Sequence, residues 1–433
     1  MSLRFAAFLA IAGLASAQNG QHWVATWVAA PQQPRIAQAA SAATQTSTAP
    51  RPPAPPVAFN NQTVRMIVHT SIGGRRVRIE LSNAYGSAPL TIGSTHIALR
   101  DKESAIVAGS DRALAFNGKP SCSIPVGAAM LSDPVDLDVP ALGDLAVSVY
   151  VPGDTGPATT HSVGLHTTYI SKQGDVTGES ALADSITSQS WYWLSGVEVL
   201  APADAAAIVT FGDSITDGTR STPNTDSSWP SFLARRLAAN TATANLAVLN
   251  EAISANRMLR DGIGVSALSR FDRDVLGQNS VKWMFVLEGI NDIGVGLGNT
   301  FVFGPRPNAQ PGDETTADML IGAYRQMISR AHDHGIRVAG GTLTPFEGAA
   351  YYSENGNKVR QAVNQWIRTG GAFDWVADFE RVIQDPEHPN RFRPEFDSSD
   401  HLHPNDAGYK AMAGSIDLSI FSSNRMSASE SSR

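Results

Sequence analysis

Apolar and polar residues alternate along much of the N-terminal half of the chain. Residues 22–28 form a strand-like run, and further on apolar side chains recur at every second position, as in Val64, Met66 and Val68. Such alternation is typical of strands with one buried face, and glycine and proline interrupt it at short intervals. Many short strands separated by turns predict a β-sandwich or jelly-roll domain over residues 18–200.

The first clear turn in this pattern lies at Gly73-Gly74. Apolar residues alternate both before it, over residues 64–68, and after it, over residues 77–81. Two alternating runs joined by a glycine pair are typical of a β-hairpin. The pattern therefore predicts that these two strands pair with each other.

The pattern changes after Pro202. Residues 206–211 are continuously apolar, as in a strand that is covered on both faces, and helical periodicity follows. Strands and helices that alternate in this way predict a parallel sheet with helices on both faces, over residues 203–421. Further strands are predicted over residues 246–250, 281–287, 336–340 and 375–378, and helices over residues 228–237, 267–276, 316–334, 358–368 and 407–420.

Three segments are predicted to be cleaved, mobile or disordered. Residues 1–17 combine a basic start, a short apolar stretch and Ala15-Ser16-Ala17, which is the pattern of a cleaved signal peptide and predicts a secreted protein. The stretch over residues 34–56 is rich in alanine and proline and predicts a mobile surface segment. The serine-rich residues 422–433 predict a disordered tail.

Composition and charge exclude several classes of protein. The chain has 433 residues, of which 42% are hydrophobic and 17% charged, which is enough to build large cores. Lys and Arg number 33 against 40 Asp and Glu, and the net charge of −7 argues against nucleic acid as a partner. The apolar stretch of the predicted signal peptide is far shorter than the roughly 20 residues of a membrane span, and no other segment reaches that length.

Two single residues bear on the compartment and on stability. Cys122 is the only cysteine, so the chain cannot form an internal disulfide, and a buried inert thiol is expected there. Asn61 begins the sequence Asn-Gln-Thr and is a predicted N-glycosylation site.

Small and polar residues follow the predicted strands of the C-terminal half. Ser214 follows the first strand, Ala255 the second and Asn291 the third, while Asp400 and His403 precede the last helix. In an open α/β sheet, reactive groups gather beyond the carboxyl ends of the strands. These residues are therefore expected to lie close together.

Acyl transfer needs this set of groups. A serine hydroxyl needs a base to take its proton, and the base needs a third group to orient it. Ser214 is the candidate nucleophile, His403 the base and Asp400 the orienting carboxylate. His401 also lies near Asp400 and is the alternative base. The backbone N–H groups of Ser214 and Ala255 and the side chain of Asn291 are the candidate oxyanion hole.

The order of these motifs resembles that of the SGNH, or GDSL, hydrolases. The motifs are Gly212-Asp213-Ser214, the Gly-x-Asn-Asp that ends at Asp292, and the Asp-x-x-His that ends at His403. The resemblance covers residues 206–421 and implies a flavodoxin-like three-layer α/β/α fold. It also implies ester hydrolysis through an acyl-enzyme, without cofactor or metal. The β-rich half is similar to that of two-domain secreted esterases of this family.

One position departs from the family pattern. The family has a glycine in the second motif, where this chain has Ala255. An alanine offers the same backbone N–H, so the oxyanion hole can form if φ is negative at this position. A positive φ would predict reduced activity.

The expected function is hydrolysis of short acyl esters, with acetyl esters of carbohydrates or small metabolites as the leading substrates. A lipase or phospholipase is an alternative, in which the loop over residues 294–311 would line an apolar groove. A carbohydrate-binding protein without activity is the other alternative. His332 and His334 are attributed to the end of a helix rather than to a metal site, because no further ligand is suitably spaced.

Overall fold

The computed structural model describes residues 20–34, 57–296 and 314–421. The predicted signal peptide and C-terminal tail lie outside the described residues, as do residues 35–56 of the predicted mobile segment and residues 297–311 of the loop considered for a lipase groove. Within the described ranges, no helix is long and apolar enough to cross a membrane.

The described residues up to Ala201 form strands and no α-helix, as the alternating pattern predicts. The strands are β1 (His22–Val28), β2 (Gln62–His69), β3 (Gly74–Ser82), β4 (Leu90–Ile92), β5 (Ser94–Leu99), β6 (Arg112–Ala113), β7 (Cys122–Ile124), β8 (Ala129–Leu131), β9 (Val135–Val139), β10 (Asp144–Val151), β11 (Thr160–His161), β12 (Thr168–Ile170), β13 (Ile186–Ser188), β14 (Trp191–Tyr192) and β15 (Leu194–Ala201).

Two antiparallel sheets dominate this part of the molecule. One has the order β1-β15-β3-β8, with β9 also paired to β3, and the other has the order β13-β12-β2-β10-β5-β6. The central strand β10 pairs with β2 and β5, so that Val147 lies opposite Met66 and Ile97, and all three are buried. The architecture is compatible with a β-sandwich, whereas the jelly-roll connection remains a prediction.

The predicted hairpin at Gly73-Gly74 is wrong. Strand β2 pairs with β10 and β12, whereas β3 pairs with β15, β8 and β9, so the chain crosses from one sheet to the other. The link is held by its neighbours, since the Thr70 N–H donates to the Gly143 carbonyl at 2.9 Å and the Thr26 hydroxyl donates to the Ile72 carbonyl at 2.7 Å. Alternation identifies the buried face of a strand but not its partner.

The C-terminal half has the predicted α/β architecture. Its elements are β16 (Ala206–Gly212), α1 (Ser214–Asp217), α2 (Trp229–Ala238), β17 (Leu246–Asn250), α3 (Ala267–Phe271), β18 (Val281–Leu287), α4 (Ile290–Gly296), α5 (Ala317–Asp333), β19 (Arg337–Gly341), α6 (Glu354–Thr369), β20 (Trp375–Ala377), α7 (Phe379–Ile383) and α8 (Asp406–Gly414). The parallel sheet has the order β17-β16-β18-β19-β20, which is the flavodoxin-like order. Helix α8 contacts α2 and α7, and α5 contacts α3 and α6.

Three helices differ from the predicted bounds by more than one residue. Helix α6 begins at Glu354 rather than at residue 358. The helix expected over residues 267–276 continues from α3 as a π-helical turn, Asp272–Leu276. The last helix ends at Gly414 rather than at residue 420. The Arg236 guanidinium donates to the carbonyls of Ala413 and Ile416, the latter at 2.8 Å, and so takes acceptors that a further helical turn would use.

The two parts of the molecule are packed against each other. Strand β1 contacts β17 of the parallel sheet. The Ser71 hydroxyl donates to the Val248 carbonyl at 2.7 Å, and the Ser280 hydroxyl donates to the Trp23 carbonyl at 3.1 Å. The buried side chains of both parts form one continuous core. The β-rich part therefore lies directly against the edge of the parallel sheet.

Candidate active site

The candidate residues lie on loops that follow the parallel strands. Ser214 begins α1 directly after β16, and the sequence determines this short helix locally. The Asp213 carboxylate accepts the Ile215 N–H at 3.0 Å and caps the start, while Gly218, with a φ of +101°, ends it. The nucleophile candidate is therefore held on a tight turn at the carboxyl end of a central strand.

The side chains of Ser214, His403 and Asp400 are joined by hydrogen bonds. The Ser214 Oγ lies 2.8 Å from Nε2 of His403, and Nδ1 of His403 lies 2.8 Å from Oδ2 of Asp400. The other carboxylate oxygen of Asp400 accepts the backbone N–H of His403 at 2.9 Å and that of Leu402 at 3.1 Å. The structure thus brings together the predicted nucleophile, base and orienting carboxylate, although 189 positions separate Ser214 from His403.

Asp400 is held in its charged form. Burial by itself raises the pKa of Asp400, but the hydrogen bond and charge of His403 and the two backbone N–H donors outweigh it, so the pKa lies below its ordinary value. The Arg220 Nε also donates to Asp400, at 3.0 Å. Sequence reasoning missed Arg220, because its contact depends on a loop 180 residues away.

His401 is not part of this chain of hydrogen bonds. Its Nδ1 lies 2.5 Å from Oδ2 of Asp397, and its backbone N–H donates to the same carboxylate at 3.1 Å. The His401 side chain is 51% exposed, against 13% for that of His403. Of the two candidate bases, the geometry therefore places His403 at the serine.

Three groups are available to bind an oxyanion. The Asn291 amide donates one hydrogen to the Asn256 carbonyl at 2.9 Å, and its oxygen accepts the Tyr351 hydroxyl at 3.2 Å. These contacts fix the amide orientation and leave its second hydrogen for a ligand. Within the described part of the chain, the backbone N–H groups of Ser214 and Ala255 have no acceptor. Tyr351, which orients Asn291, was not anticipated from the sequence.

The backbone of Ala255 has the left-handed conformation, with a φ of +62°. A positive φ at this position predicts reduced activity. The left-handed conformation costs a residue with a Cβ atom roughly 1–2 kcal/mol of free energy. The neighbouring residues enforce it. The Ser254 N–H donates to the Asp217 carboxylate at 2.8 Å, and the Asn256 side chain donates to the Val265 carbonyl at 2.9 Å. In this conformation, alanine directs its N–H as a glycine would.

The carboxylates of Asp213 and Asp292 accept backbone N–H groups of the loops around the site. The carboxylate of Asp292 accepts the backbone N–H of Met258 at 2.6 Å and that of Leu259 at 3.0 Å. Burial is the main cause that raises the pKa of Asp213 to about 7 and that of Asp292 to about 6. Both carboxyl groups hold backbone in place beneath the site.

Among the described residues, one group of side chains could hold a metal ion. It comprises His69, Asp144 and Asp226, whose candidate ligand atoms lie within 4.8 Å of one another. This group was not anticipated from the sequence. Its members are already paired, since His69 Nδ1 lies 2.7 Å from Asp144 and His166 Nε2 lies 2.8 Å from Asp226. His69, His166 and Asp226 line a cavity of about 90 Å³ whose lining does not include Ser214.

The remaining candidate residues have ordinary structural contacts. His332 Nε2 lies 2.8 Å from the Asp374 carboxylate, and His334 Nδ1 lies 2.9 Å from the Arg330 carbonyl. The Asn61 side chain accepts the Tyr150 hydroxyl at 2.7 Å, and its glycosylation remains a prediction.

Cys122 is half-buried rather than buried as expected. Burial raises the pKa of its thiol to about 11, so the thiolate is disfavoured at neutral pH.

A flavodoxin-like sheet with a serine, a histidine and an aspartate joined at its carboxyl edge defines an α/β protein of the hydrolase class. Residues 208–416 match the model of the GDSL-like Lipase/Acylhydrolase family. This part of the chain is a GDSL acylhydrolase domain, which confirms the resemblance found in the sequence motifs and indicates an ester hydrolase.

Solved structures of GDSL proteins are similar to this chain over about half its length. A lipolytic protein of the G-D-S-L family from Desulfitobacterium hafniense is 20% identical, covers 48% of this chain and 97% of its own, and has a TM-score of 0.36. A GDSL-like lipase from Bacteroides thetaiotaomicron is 18% identical over 50% and 88% of the two chains, with a TM-score of 0.36. A mutant of Axe2, an acetyl-xylooligosaccharide esterase from Geobacillus, is 19% identical over 48% and 91%, with a TM-score of 0.37. The comparison with curated proteins returned no match.

Proposed function

We propose that this protein is a secreted serine esterase that hydrolyses short acyl esters, with acetyl esters of carbohydrates or small metabolites as its substrates. The observation that carries the proposal is the pair of hydrogen bonds at His403, 2.8 Å to Ser214 and 2.8 Å to Asp400. A histidine between a hydroxyl and a carboxylate can take the hydroxyl proton while the carboxylate stabilises the imidazolium that forms.

In the proposed acylation step, the Ser214 Oγ attacks the ester carbonyl carbon and His403 Nε2 takes its proton. The negative charge on the carbonyl oxygen is stabilised by the N–H groups of Ser214 and Ala255 and by the Asn291 amide. The tetrahedral intermediate then collapses. The alcohol leaves with the proton from His403, and the acyl group remains on Ser214.

In the proposed deacylation step, His403 takes a proton from a water molecule, which attacks the acyl-enzyme. A second tetrahedral intermediate forms on the same oxyanion donors. Its collapse releases the carboxylic acid and returns the proton from His403 to Ser214. The proposal includes no cofactor and no metal ion.

Two parts of the proposal are supported by sequence alone. The signal-peptide pattern of residues 1–17 favours export. The preference for short acyl chains rests on the resemblance of the motifs and of the two-domain organisation to esterases. No contact among the described residues favours the lipase alternative. The inactive carbohydrate-binding alternative is disfavoured by the bonded arrangement of Ser214, His403 and Asp400.

The nucleophile is tested by replacing Ser214 with alanine and measuring hydrolysis of p-nitrophenyl acetate. We expect a loss of activity of at least about 10³-fold, because Ser214 carries the hydroxyl that is hydrogen-bonded to His403, and no other hydroxyl among the described residues is. Ser227→Ala is the matched control, since Ser227 is buried nearby and bonded to Thr225. Activity in Ser214→Ala equal to that of the control would refute the proposed mechanism.

The substrate class is tested with p-nitrophenyl esters from acetate to palmitate and with acetylated xylan and glucose pentaacetate. We expect the highest kcat/KM with acetyl or propionyl esters and release of acetate from at least one of the carbohydrates. A maximum at acyl chains of ten carbons or more would instead support a lipase.

A further inference from the structure

A buried histidine of the β-rich part reaches into the hydrolase part. His161, in strand β11, lies with its Nε2 3.1 Å from Oδ1 of Asp217, and its Nδ1 lies 3.0 Å from the Ala30 carbonyl. Both ring nitrogens therefore face acceptors, and both are satisfied when the imidazole carries two protons. His161 is only 4% exposed, so these contacts are shielded from water.

The surroundings of His161 favour its charged form. Burial lowers the pKa of His161, but the charge and hydrogen bond of Asp217 and the bond to the Ala30 carbonyl raise it by more, so the pKa lies above its ordinary value. Charge-assisted hydrogen bonds of this kind are about twice as strong as neutral ones. The hydrogen bond between His161 and Asp217 is thus suited to fixing the position of the Asp217 side chain.

Asp217 connects this histidine to the candidate oxyanion loop. Its Oδ2 accepts the backbone N–H of Ser254 at 2.8 Å and the Ser254 hydroxyl at 2.5 Å. Asp217 is also the last residue of α1, the helix that begins at Ser214. The Asp217 side chain therefore connects His161 and helix α1 to Ser254, the residue before Ala255.

The loop needs such support because its backbone is strained. Ala255 has a φ of +62°, which an alanine adopts only where its surroundings impose it. The Ser254 hydroxyl also lies 2.8 Å from the Thr219 hydroxyl, so Ser254 is held from two sides. A shift of Ser254 would turn the neighbouring Ala255 N–H away from the oxyanion.

We propose that His161 is a positioning residue for the oxyanion hole, acting through Asp217 and Ser254 on the N–H of Ala255. In this proposal, the β-rich part supports the loop of the hydrolase part that contains Ser254 and Ala255. The inference rests on the proposed function, since it presupposes that Ser214 is acylated.

The test compares His161→Ala and His161→Gln with a matched control, His166→Ala. His166 is 5% exposed, packs against the same Trp191 ring and is bonded to another carboxylate, that of Asp226. For p-nitrophenyl acetate we expect kcat to fall by about 10–100-fold in His161→Ala with little change in KM. His161→Gln, whose amide can still donate to Asp217, should recover most of the loss. His166→Ala should lower the melting temperature and leave kcat within about twofold.

Ser254→Ala keeps the proposal testable if His161→Ala does not fold. This variant removes one hydroxyl, and we expect kcat to fall by about five- to tenfold. Where His161→Ala folds, adding Ser254→Ala to it should lower kcat no further than the more impaired single variant, because both changes act on the same contact between Asp217 and Ser254. Losses that multiply would overturn the inference, and so would an unchanged kcat in Ser254→Ala.

Two outcomes separate this inference from the proposed function. A folded His161→Ala that keeps its kcat, measured beside an inactive Ser214→Ala, overturns the positioning role alone. A Ser214→Ala variant that keeps its rate overturns the proposed function, whatever the histidine variants do. An equal loss of kcat in His166→Ala would also reject the positioning role, since it would show a general effect of cavity packing.

Discussion

At the scale of single residues, the candidate site depends on a conformation that its own amino acid disfavours. Ala255 has a positive φ, at a cost of roughly 1–2 kcal/mol. The hydrogen bonds of Ser254 and Asn256 on either side offset this cost. The strain belongs to the backbone, so replacing the side chain can relieve it without moving the N–H.

Ala255→Gly tests this strain. A glycine adopts the left-handed conformation freely, but it also makes the unfolded chain more flexible, by roughly 0.5–1 kcal/mol. We therefore expect a melting temperature close to that of the wild type. Turnover of p-nitrophenyl acetate should be equal or higher by up to about fivefold, the factor that corresponds to roughly 1 kcal/mol. A tenfold lower kcat would show that the methyl group is needed and that strain is not the limitation.

At the scale of secondary-structure elements, the link from β2 to β3 determines how the two antiparallel sheets are connected. A Cβ on Gly73 would lie 2.4 Å from the Val139 carbonyl oxygen and 2.9 Å from the Ala141 nitrogen. Both atoms belong to backbone and cannot rotate away. The glycine is therefore required by the close approach of two chain segments rather than by a hairpin turn.

Gly73→Ala should destabilise the protein by about 2–4 kcal/mol, because backbone must move to admit the methyl group. Thermal unfolding followed by circular dichroism would measure this as a lower melting temperature. Gly153→Ala is the control, since nothing lies within 4 Å of its Cβ position. If both variants melt at the same temperature, the close approach at Gly73 does not limit stability.

At the scale of the whole molecule, buried carboxyl groups beneath the site make folding depend on pH. Burial raises the pKa of Asp213 from 3.8 to about 7, and the charges of Asp292 and Asp217 add to the rise. Burial also raises the pKa of Glu288 well above its ordinary value. Above pH 4 the folded state holds protons that the unfolded state has released, so the stability from this source falls as pH rises through about 7.

Asp213→Asn should reduce this dependence. The asparagine oxygen can still accept the Ile215 N–H, but the side chain has no proton to lose. We expect the melting temperature of the wild type to fall from pH 5 to pH 8 and that of the variant to fall less, by a few degrees over the range. Differential scanning calorimetry measures both. Asp333→Asn, at an exposed aspartate, is the control and should follow the wild type. Parallel curves for all three proteins would contradict the buried-carboxyl argument.

The sequence predicted those features of the fold that depend on residues close together in the chain. Strands β1, β17 and β18 have the predicted bounds, because their apolar runs are continuous or bounded by clear breaks. It was less informative about pairing and about helix ends. The end of α8 depends on Arg236, a residue from another helix, and no local signal marks such a contact.

The sequence by itself determined the two kinds of secondary structure, the α/β class of the C-terminal half and the candidate site residues Ser214, Asp400 and His403, with His401 as the alternative base. Short motifs and local periodicity encode these features, because each depends on residues a few positions apart. Only the tertiary structure decided which strands pair, which histidine lies at the serine and that His161 contacts Asp217. These features depend on contacts between distant segments, whose free energy arises only when the whole chain packs.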